Sequence, residues 1–365
     1  LRLAEERYAE AGYEVQTLRI STCPVLEDLP DWSSSELLAY ARELQRMLDD
    51  VGVAFCSLGP AQVARPDFPL ARIEGIADVL AATSALNATV QLALPETGLR
   101  AESALAAARV MKRLAEETEE GFGNFRFAML ACVAPGCPFF PSAYHTGPTS
   151  LSVGLQGAGL IAEGLKAYNA DRREEHPVDL MAVSEWLRTV LIEQAAPVVA
   201  LGQQLATEHA LAFGGIDLSP APLGEESIVT GLEDFGYGLF GTPGTVAVSA
   251  ALTAALKQTG LPTCGYCGLM LPVLEDAVLG RRWQEGLVNT HQLLLYSSVC
   301  GTGLDTVPLP GDVAPGEIAH LLLDVATMAL RLNKPLSARL FPVPGKHRGE
   351  YTSFTSPYLT NTLIR

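Results

Sequence analysis

Hydrophobic and polar positions follow two patterns along this chain of 365 residues. In residues 33–49, apolar side chains recur every three or four positions, which is typical of an amphipathic helix. Residues 51–57 and 87–92 are short apolar runs, which are typical of buried strands. The helical pattern also occurs over 102–120, 179–209, 225–234, 245–258, 276–286, 290–298 and 314–332. The strand pattern also occurs over 14–21, 125–133, 151–155, 213–218 and 336–341.

The predicted strands and helices alternate along the chain, which favours an α/β fold with a mostly parallel sheet covered by helices. No low-complexity linker or clear internal repeat interrupts this order, so a single domain over residues 1–365 is expected. Leu1 already lies in a helical pattern and is not a methionine, which favours a truncated N-terminus.

Composition limits the partners of the protein. The chain is 48% hydrophobic with a net charge of −16, and no stretch clusters lysine and arginine. Nucleic acid and anionic membranes are therefore not expected as partners. No apolar run approaches the roughly 18 residues that a membrane-spanning helix needs. Seven scattered cysteines without framework spacing favour a reducing, cytoplasmic location.

The segment 213–227 is the first candidate for a binding site. Asp217 and Ser219 follow an apolar strand, where an acid can bind a cation or orient a substrate amine. The alternative is that Asp217 caps a turn by accepting backbone N–H groups. Ser227 stands at the start of the next predicted helix and is a further candidate for substrate binding.

A second candidate is the glycine-rich turn 241–245, which opens another predicted helix. Thr242, Gly244 and Thr245 are predicted to bind an anion there, because the first N–H groups of a helix favour negative charge. The alternative is an ordinary capped helix start. The turn is not a nucleotide-binding Walker A loop, since no Gly-Lys-Ser/Thr follows it.

Two residues are candidates for proton transfer or nucleophilic attack. His145 lies in a loop beside Tyr144, where a histidine can act as acid or base near neutral pH. Cys300 lies in a glycine-rich turn and is a candidate nucleophile, with a buried structural thiol as the alternative. Cys264 and Cys267 form a Cys-x-x-Cys pair without a second pair of ligands, so no metal site is predicted. No cofactor is identified.

Basic side chains near the C-terminus suggest a binding site for an anionic substrate. Arg339 and Lys346 flank a Pro-Val-Pro-Gly segment, and a solvated hairpin is the alternative. Asp305, at the end of the glycine-rich turn that contains Cys300, is the last candidate for substrate binding.

Six motifs, in this order, resemble a family catalogued as domain of unknown function 711. They are AYHTG (143–147), FGGIDLSPAP (213–222), GTPGT (241–245), GLMLPVLED (268–276), VCGTGLD (299–305) and ARLFPVPGK (338–346). The resemblance extends to RISTCP (19–24) and covers nearly the whole chain.

The resemblance implies a ten-stranded α/β barrel like that of pyruvate formate-lyase and ribonucleotide reductase, with two opposed parallel half-sheets around a finger loop. We equate that loop with the turn of Cys300. The segment that carries the radical glycine in such enzymes is missing, because residues 349–357 read GEYTSFTSP. The chemistry is therefore expected to be non-radical. Some family members lie beside small ACT-domain proteins, which suggests a regulatory partner of that kind.

The favoured hypothesis is an enzyme that acts on a small carboxylated or amino-acid-like metabolite in an enclosed barrel cavity. His145 would act as acid or base, Asp217 would orient the substrate or bind a cation, and Cys300 would be the nucleophile or part of the cavity wall. The alternative is a non-catalytic regulatory protein that binds a metabolite in the same cavity. A structural protein that assembles as a homo-oligomer is the third hypothesis.

Overall fold

The computed structural model describes residues 1–170, 179–299 and 301–365. The strands in these ranges are β1 (Arg19–Ser21), β2 (Phe55–Ala61), β3 (Leu86–Leu94), β4 (Gly98–Leu99), β5 (Phe127–Ala131), β6 (Ser150–Gly154), β7 (Ala212–Asp217), β8 (Gly303–Pro310) and β9 (Leu336–Val343). The α-helices are α1 (Arg2–Glu10), α2 (Val25–Asp28), α3 (Ser34–Val51), α4 (Glu74–Ala81), α5 (Glu102–Glu117), α6 (Ala158–Ala170), α7 (Leu180–Glu208), α8 (Ile228–Glu233), α9 (Thr245–Lys257), α10 (Ala277–Gln284), α11 (Thr290–Tyr296) and α12 (Pro315–Leu332).

The larger sheet has the strand order β1-β2-β3-β5-β9-β8, with the short β4 beside β3. Strands β1, β2, β3 and β5 are parallel to one another. Strand β9 runs antiparallel to β5, and β8 runs parallel to β9. The sheet therefore has two parallel parts of opposite direction, which confirms a mixed α/β fold with a mostly parallel sheet.

The smaller sheet consists of the parallel strands β6 and β7. Residues 263–272 lie beside both sheets, because Thr263 bridges to Ile216 of β7 and Pro272 bridges to Asp305 of β8. Within the described ranges the strands form these two sheets and no closed barrel, and nine strands are found rather than the expected ten.

Local sequence signals set the ends of the helices that cover the larger sheet. Helix α3 begins with a reciprocal capping box between Ser33 and Glu36, and it ends at Gly52 in the left-handed conformation. Helices α5 and α12 pack against each other beside the sheet and bury apolar stripes that include Met111, Leu114 and Leu322. In the described part of the chain, no helix is both long and apolar enough to cross a bilayer.

Candidate functional site

A cavity of about 870 Å³ is lined by residues of both sheets. This volume lies within the range of pockets that bind small molecules. Its polar lining includes Arg19 of β1, Glu275 from the segment before α10, Asp305 of β8 and Arg339 of β9. Side chains that are distant in sequence thus meet because the sheet places β1, β8 and β9 around one space.

Arg339 forms the centre of a buried ion-pair cluster. Its Nε donates to Oδ1 of Asp305 at 2.6 Å, and its Nη2 donates to Oε1 of Glu275 at 2.5 Å. The guanidinium also lies 4.8 Å from the ring centroid of Phe125, within cation–π range. Only 8% of the Arg339 side chain is exposed, so water screens these charges poorly.

Glu275 lines the cavity, whereas the carboxylate of its neighbour Asp276 bonds to backbone N–H groups. The Asp276 carboxylate accepts N–H groups of Val278 and Leu279 at the start of α10, and it accepts the N–H of Ile228 from α8. Consecutive acidic residues therefore have different roles: Asp276 fixes two helix starts, and Glu275 lines the cavity.

Burial raises the pKa of Glu275 to about 7, against the opposing effect of the Arg339 guanidinium. The nearby Asp305 carboxylate adds to the rise, while Thr306 and Arg19 act against it. A carboxyl group with such a pKa is both a proton donor and a proton acceptor near neutral pH. By contrast, the two carboxylates raise the pKa of Arg339, although burial lowers it, so this guanidinium stays charged.

A bulge in β8 supports this cluster. The register against β9 shifts between Leu304 and Val307, and Thr306 has a φ of 38°, in the left-handed region that non-glycine residues rarely adopt. The Thr306 hydroxyl accepts the N–H of Leu274 at 3.3 Å. The strained residue of β8 thereby holds the segment that presents Glu275, and strain of this kind is common at functional sites.

The raised pKa of Glu275 makes stability depend on pH. The folded protein keeps the proton up to about pH 7, whereas the unfolded chain releases it near 4.5, so unfolding is favoured as the pH rises between these values. Relative to Glu275→Gln, the wild type should lose up to about 3 kcal/mol of unfolding free energy between pH 4.5 and pH 8. Urea denaturation of both proteins over this range measures the difference, and equal pH profiles would contradict the assignment.

The predicted residues Asp305 and Arg339 are brought together, and His145 lines the same cavity. The His145 ring Nε2 lies 2.9 Å from the carbonyl oxygen of Gly147, and its backbone N–H donates to Thr22. Cys300 lies outside the described residues, so its role as nucleophile and the finger-loop assignment stay predictions. Acid–base chemistry at His145 also stays a prediction.

Asp217 is fully buried and does not belong to the described lining of the cavity. Its carboxylate accepts the N–H groups of Ser219, Tyr266 and Cys267 and the hydroxyl of Ser219, at 2.6–3.0 Å. The Ser219 hydroxyl in turn accepts the N–H of Gly268. This arrangement matches the turn-capping alternative, since both residues hold the turn that carries Tyr266 into the cavity.

The other predicted binding residues, as far as the chain is described, do not line the cavity: Ser227, Thr242, Gly244, Thr245 and Lys346. Ser227 caps α8 by accepting the N–H groups of Val229 and Thr230. The Thr245 hydroxyl bonds to the carbonyl of Thr242 and accepts the N–H of Gly241. Ser227 thus matches the helix-capping alternative, whereas the Thr245 hydroxyl bonds within its own turn and α9 has no side-chain cap.

The Cys-x-x-Cys pair borders this region. Burial is the main reason that the pKa values of Cys264 and Cys267 rise to about 12, and Asp217 adds to the rise, so both are protonated thiols at neutral pH. In the described ranges, histidine, cysteine and acidic side chains are nowhere grouped in threes as potential metal ligands.

Arg19 and Glu275 are two lining residues that were not predicted. Both lie in motifs that carry the family resemblance, RISTCP (19–24) and GLMLPVLED (268–276), and this is the one sequence signal that pointed to them. A third is Tyr266, whose hydroxyl donates to Ser142 at 2.8 Å. Its position follows from the Asp217-capped turn.

Comparison with known proteins identifies the family of the chain. A family model described as uncharacterised ACR (DUF711) matches residues 1–355. A UPF0210 protein of Pyrobaculum arsenaticum is 32% identical over 96% of this chain and 79% of its own length. A UPF0210 protein of Pyrobaculum aerophilum shows the same identity and coverage, and one of a Thermoanaerobacter species is 28% identical over 97% of this chain and 80% of its own. The chain therefore belongs to the DUF711 family of uncharacterised proteins.

Proposed function

We propose that the protein is an enzyme that acts on a small carboxylated metabolite by acid–base chemistry in the 870 Å³ cavity. The observation that carries the proposal is Glu275, a nearly buried carboxyl group that lines the cavity and has a pKa of about 7. Carboxyl groups tuned by burial and by a charged partner cluster at catalytic sites. The guanidinium of Arg19 in the same lining, which is not paired with an acid of the described residues, favours an anionic substrate.

In this proposal Glu275 transfers the proton. Arg339, which Asp305 holds in place, positions the carboxyl group of Glu275. The 2.5 Å bond from Arg339 to Oε1 fixes the carboxyl group of Glu275. The other oxygen, Oε2, is not bonded to Arg339. Tyr266 and Ser142 supply hydroxyl groups at the same lining for contacts to the substrate. His145 is a second candidate for proton transfer, because it lines the cavity from a different loop.

We also infer that the two sheets are opposite walls of a barrel-like enclosure, as the family resemblance implies. The support is the segment 263–272, which bridges to β7 at Thr263 and to β8 at Pro272. An enclosure of this kind would exclude bulk water from Glu275 and maintain its raised pKa.

The test is metabolite profiling with purified wild type, Glu275→Gln and the control Glu226→Gln. Glu226 is an exposed acid outside the described cavity lining, so its variant should behave like the wild type. The wild type and the control should convert a carboxylated compound of a cell extract, and Glu275→Gln should do so about 100-fold more slowly or worse. The wild-type rate should depend on a group that titrates near pH 7.

Unchanged turnover by Glu275→Gln would disprove the assignment of the proton-transfer residue. Native mass spectrometry distinguishes the alternative of a regulatory protein. A metabolite that is released intact on unfolding, without turnover by the wild type, would replace the enzyme by a non-catalytic metabolite-binding protein. Such a result would also be the starting point for testing a small ACT-domain partner and a cytoplasmic complex.

A further inference from the structure

Arg19 presents a guanidinium group to the cavity from β1. Its Cζ lies 5.3 Å from the ring centroid of Phe55 and 5.4 Å from that of Phe140. Both rings are close enough for cation–π attraction, which orients the planar group. The Nε atom donates to the Thr17 hydroxyl at 2.8 Å. This bond also orients the Nη1 and Nη2 atoms, which form the fork of the guanidinium group.

The Nη atoms of Arg19 have no hydrogen-bond partner among the residues that the structure describes. No carboxylate of those residues lies within ion-pair distance of it either. Arg339, the other arginine in the lining, has both sides of its fork occupied by Asp305 and Glu275. Arg19 therefore offers free N–H donors to a ligand, and Arg339 does not.

A positive charge in this position lacks a counterion. Burial lowers the pKa of Arg19, whereas Tyr358 and Glu275 act in the opposite direction. The charged guanidinium is therefore destabilised by the loss of solvating water. A bound anion would remove that cost. A carboxylate matches the planar fork of a guanidinium with two parallel hydrogen bonds.

The charge around Arg19 favours an anion with a single charge. Glu275 and Asp305 share the charge of Arg339, so their cluster adds no free positive charge to the cavity. The described lining offers one guanidinium that is not already paired with acids, so a phosphate dianion would be under-compensated. The site therefore matches a carboxylate better than a phosphate.

Aromatic rings form the wall next to Arg19. The ring centroid of Phe55 lies 6.3 Å from that of Phe140 and 6.1 Å from that of Tyr358, and Tyr358 stacks on Phe125 at 5.8 Å. All four rings line the cavity. Such a wall buries a flat apolar group at little entropic cost, because the rings are already packed against one another.

We propose that Arg19 binds the carboxylate of a substrate whose adjacent body is planar and apolar, as in an arylacetate. The inference rests on the proposed function only for the statement that the bound molecule is a substrate. The subsite itself depends on the free fork of Arg19 and on the aromatic wall.

The test uses 4-fluorophenylacetate as the probe, with binding followed by fluorine NMR. The uncharged analogue 4-fluorophenylacetamide and inorganic phosphate are compared with it. The wild type should bind the acid at least about 10-fold more tightly than the amide, since a hydrogen-bonded charge pair contributes about 1.5–3 kcal/mol. Phosphate should not displace the acid at equal concentration.

Arg19→Met should weaken binding of the acid about 10-fold or more and leave binding of the amide unchanged. Retained binding of the amide also shows that the variant is folded. Arg19→Lys keeps the charge but cannot donate two parallel hydrogen bonds. Its affinity for the acid should therefore lie between those of Arg19→Met and the wild type. Arg42→Met, which changes an exposed arginine of α3, serves as the control and should bind like the wild type.

The subsite would be overturned if the wild type bound no acid, if it bound acid and amide equally, or if Arg19→Met bound the acid as the wild type does. Displacement of the acid by phosphate would overturn the choice of a carboxylate. Glu275→Gln separates this inference from the proposed function, because that variant should bind the acid and lack turnover. If Arg19→Met bound the acid as tightly as the wild type while the wild type kept its turnover, the subsite would be refuted and the proposed function would stand.

Discussion

Arg339→Met is expected to lower the free energy of unfolding by about 3–5 kcal/mol, the usual cost of removing one partner from a buried ion pair. The methionine would fill much of the space, but it would leave the Asp305 carboxylate buried without a cation and would allow Glu275 to ionise only at a further cost. Both side chains are at most 15% exposed, so water would compensate little for the loss. Urea denaturation at neutral pH measures the effect.

The same loss should be reversed largely by removing the charges that Arg339 compensates. The triple variant Arg339→Met, Glu275→Gln, Asp305→Asn should recover most of the stability, because neutral amides do not repel each other. Arg331→Met, on the exposed side of α12, is the matched control and should change stability by less than about 0.5 kcal/mol. A loss below about 1 kcal/mol in the single variant, or no recovery in the triple variant, would contradict the argument.

The parts of the fold that depend on local signals were predictable from the sequence. The helix predicted over 33–49 occurs as α3, and its capping residue Ser33 accepts the expected N–H of Glu36. The strand that carries Asp305 was not predicted. Pro308 and Pro310 argue against a strand, and they are accommodated because β8 is at the edge of the sheet.

The candidate site was predictable only in part, for a related reason. Asp305 stands out at the end of a glycine-rich turn, and Arg339 stands out as a charged residue within an apolar segment. The two side chains are bonded to each other in the structure. The partnership of Arg339 with Glu275 crosses 64 positions of sequence, and no local pattern encodes it. The spatial order β1-β2-β3-β5-β9-β8 decides which side chains share the cavity.

Polar side chains at helix starts are an ambiguous signal for anion binding. Ser227 and Thr245 satisfy the backbone of their own turns, so neither side chain is available to a ligand within the described structure. A capping residue and a ligand-binding residue have the same sequence signature, because both present oxygen atoms near unpaired N–H groups. The position of the cavity distinguishes them.

Asp217→Ala is the second substitution with a large expected effect, about 3 kcal/mol or more in the free energy of unfolding. The alanine would leave the buried N–H groups of Ser219, Tyr266 and Cys267 without their acceptor, and each such group costs about 1–3 kcal/mol. Asp217→Asn keeps one acceptor oxygen and should cost less. Asp31→Ala, an exposed acid in a loop, is the control and should leave stability unchanged within about 0.5 kcal/mol.

A structural role for Asp217 also predicts a specific effect on the cavity. The turn that Asp217 holds carries Tyr266, whose hydroxyl bonds to Ser142 in the lining. Under conditions where Asp217→Asn is fully folded, it should therefore bind 4-fluorophenylacetate more weakly, and the pH at which any activity titrates should stay near that of Glu275. A variant that kept its stability but lost all turnover would instead indicate a direct role of Asp217 in the reaction.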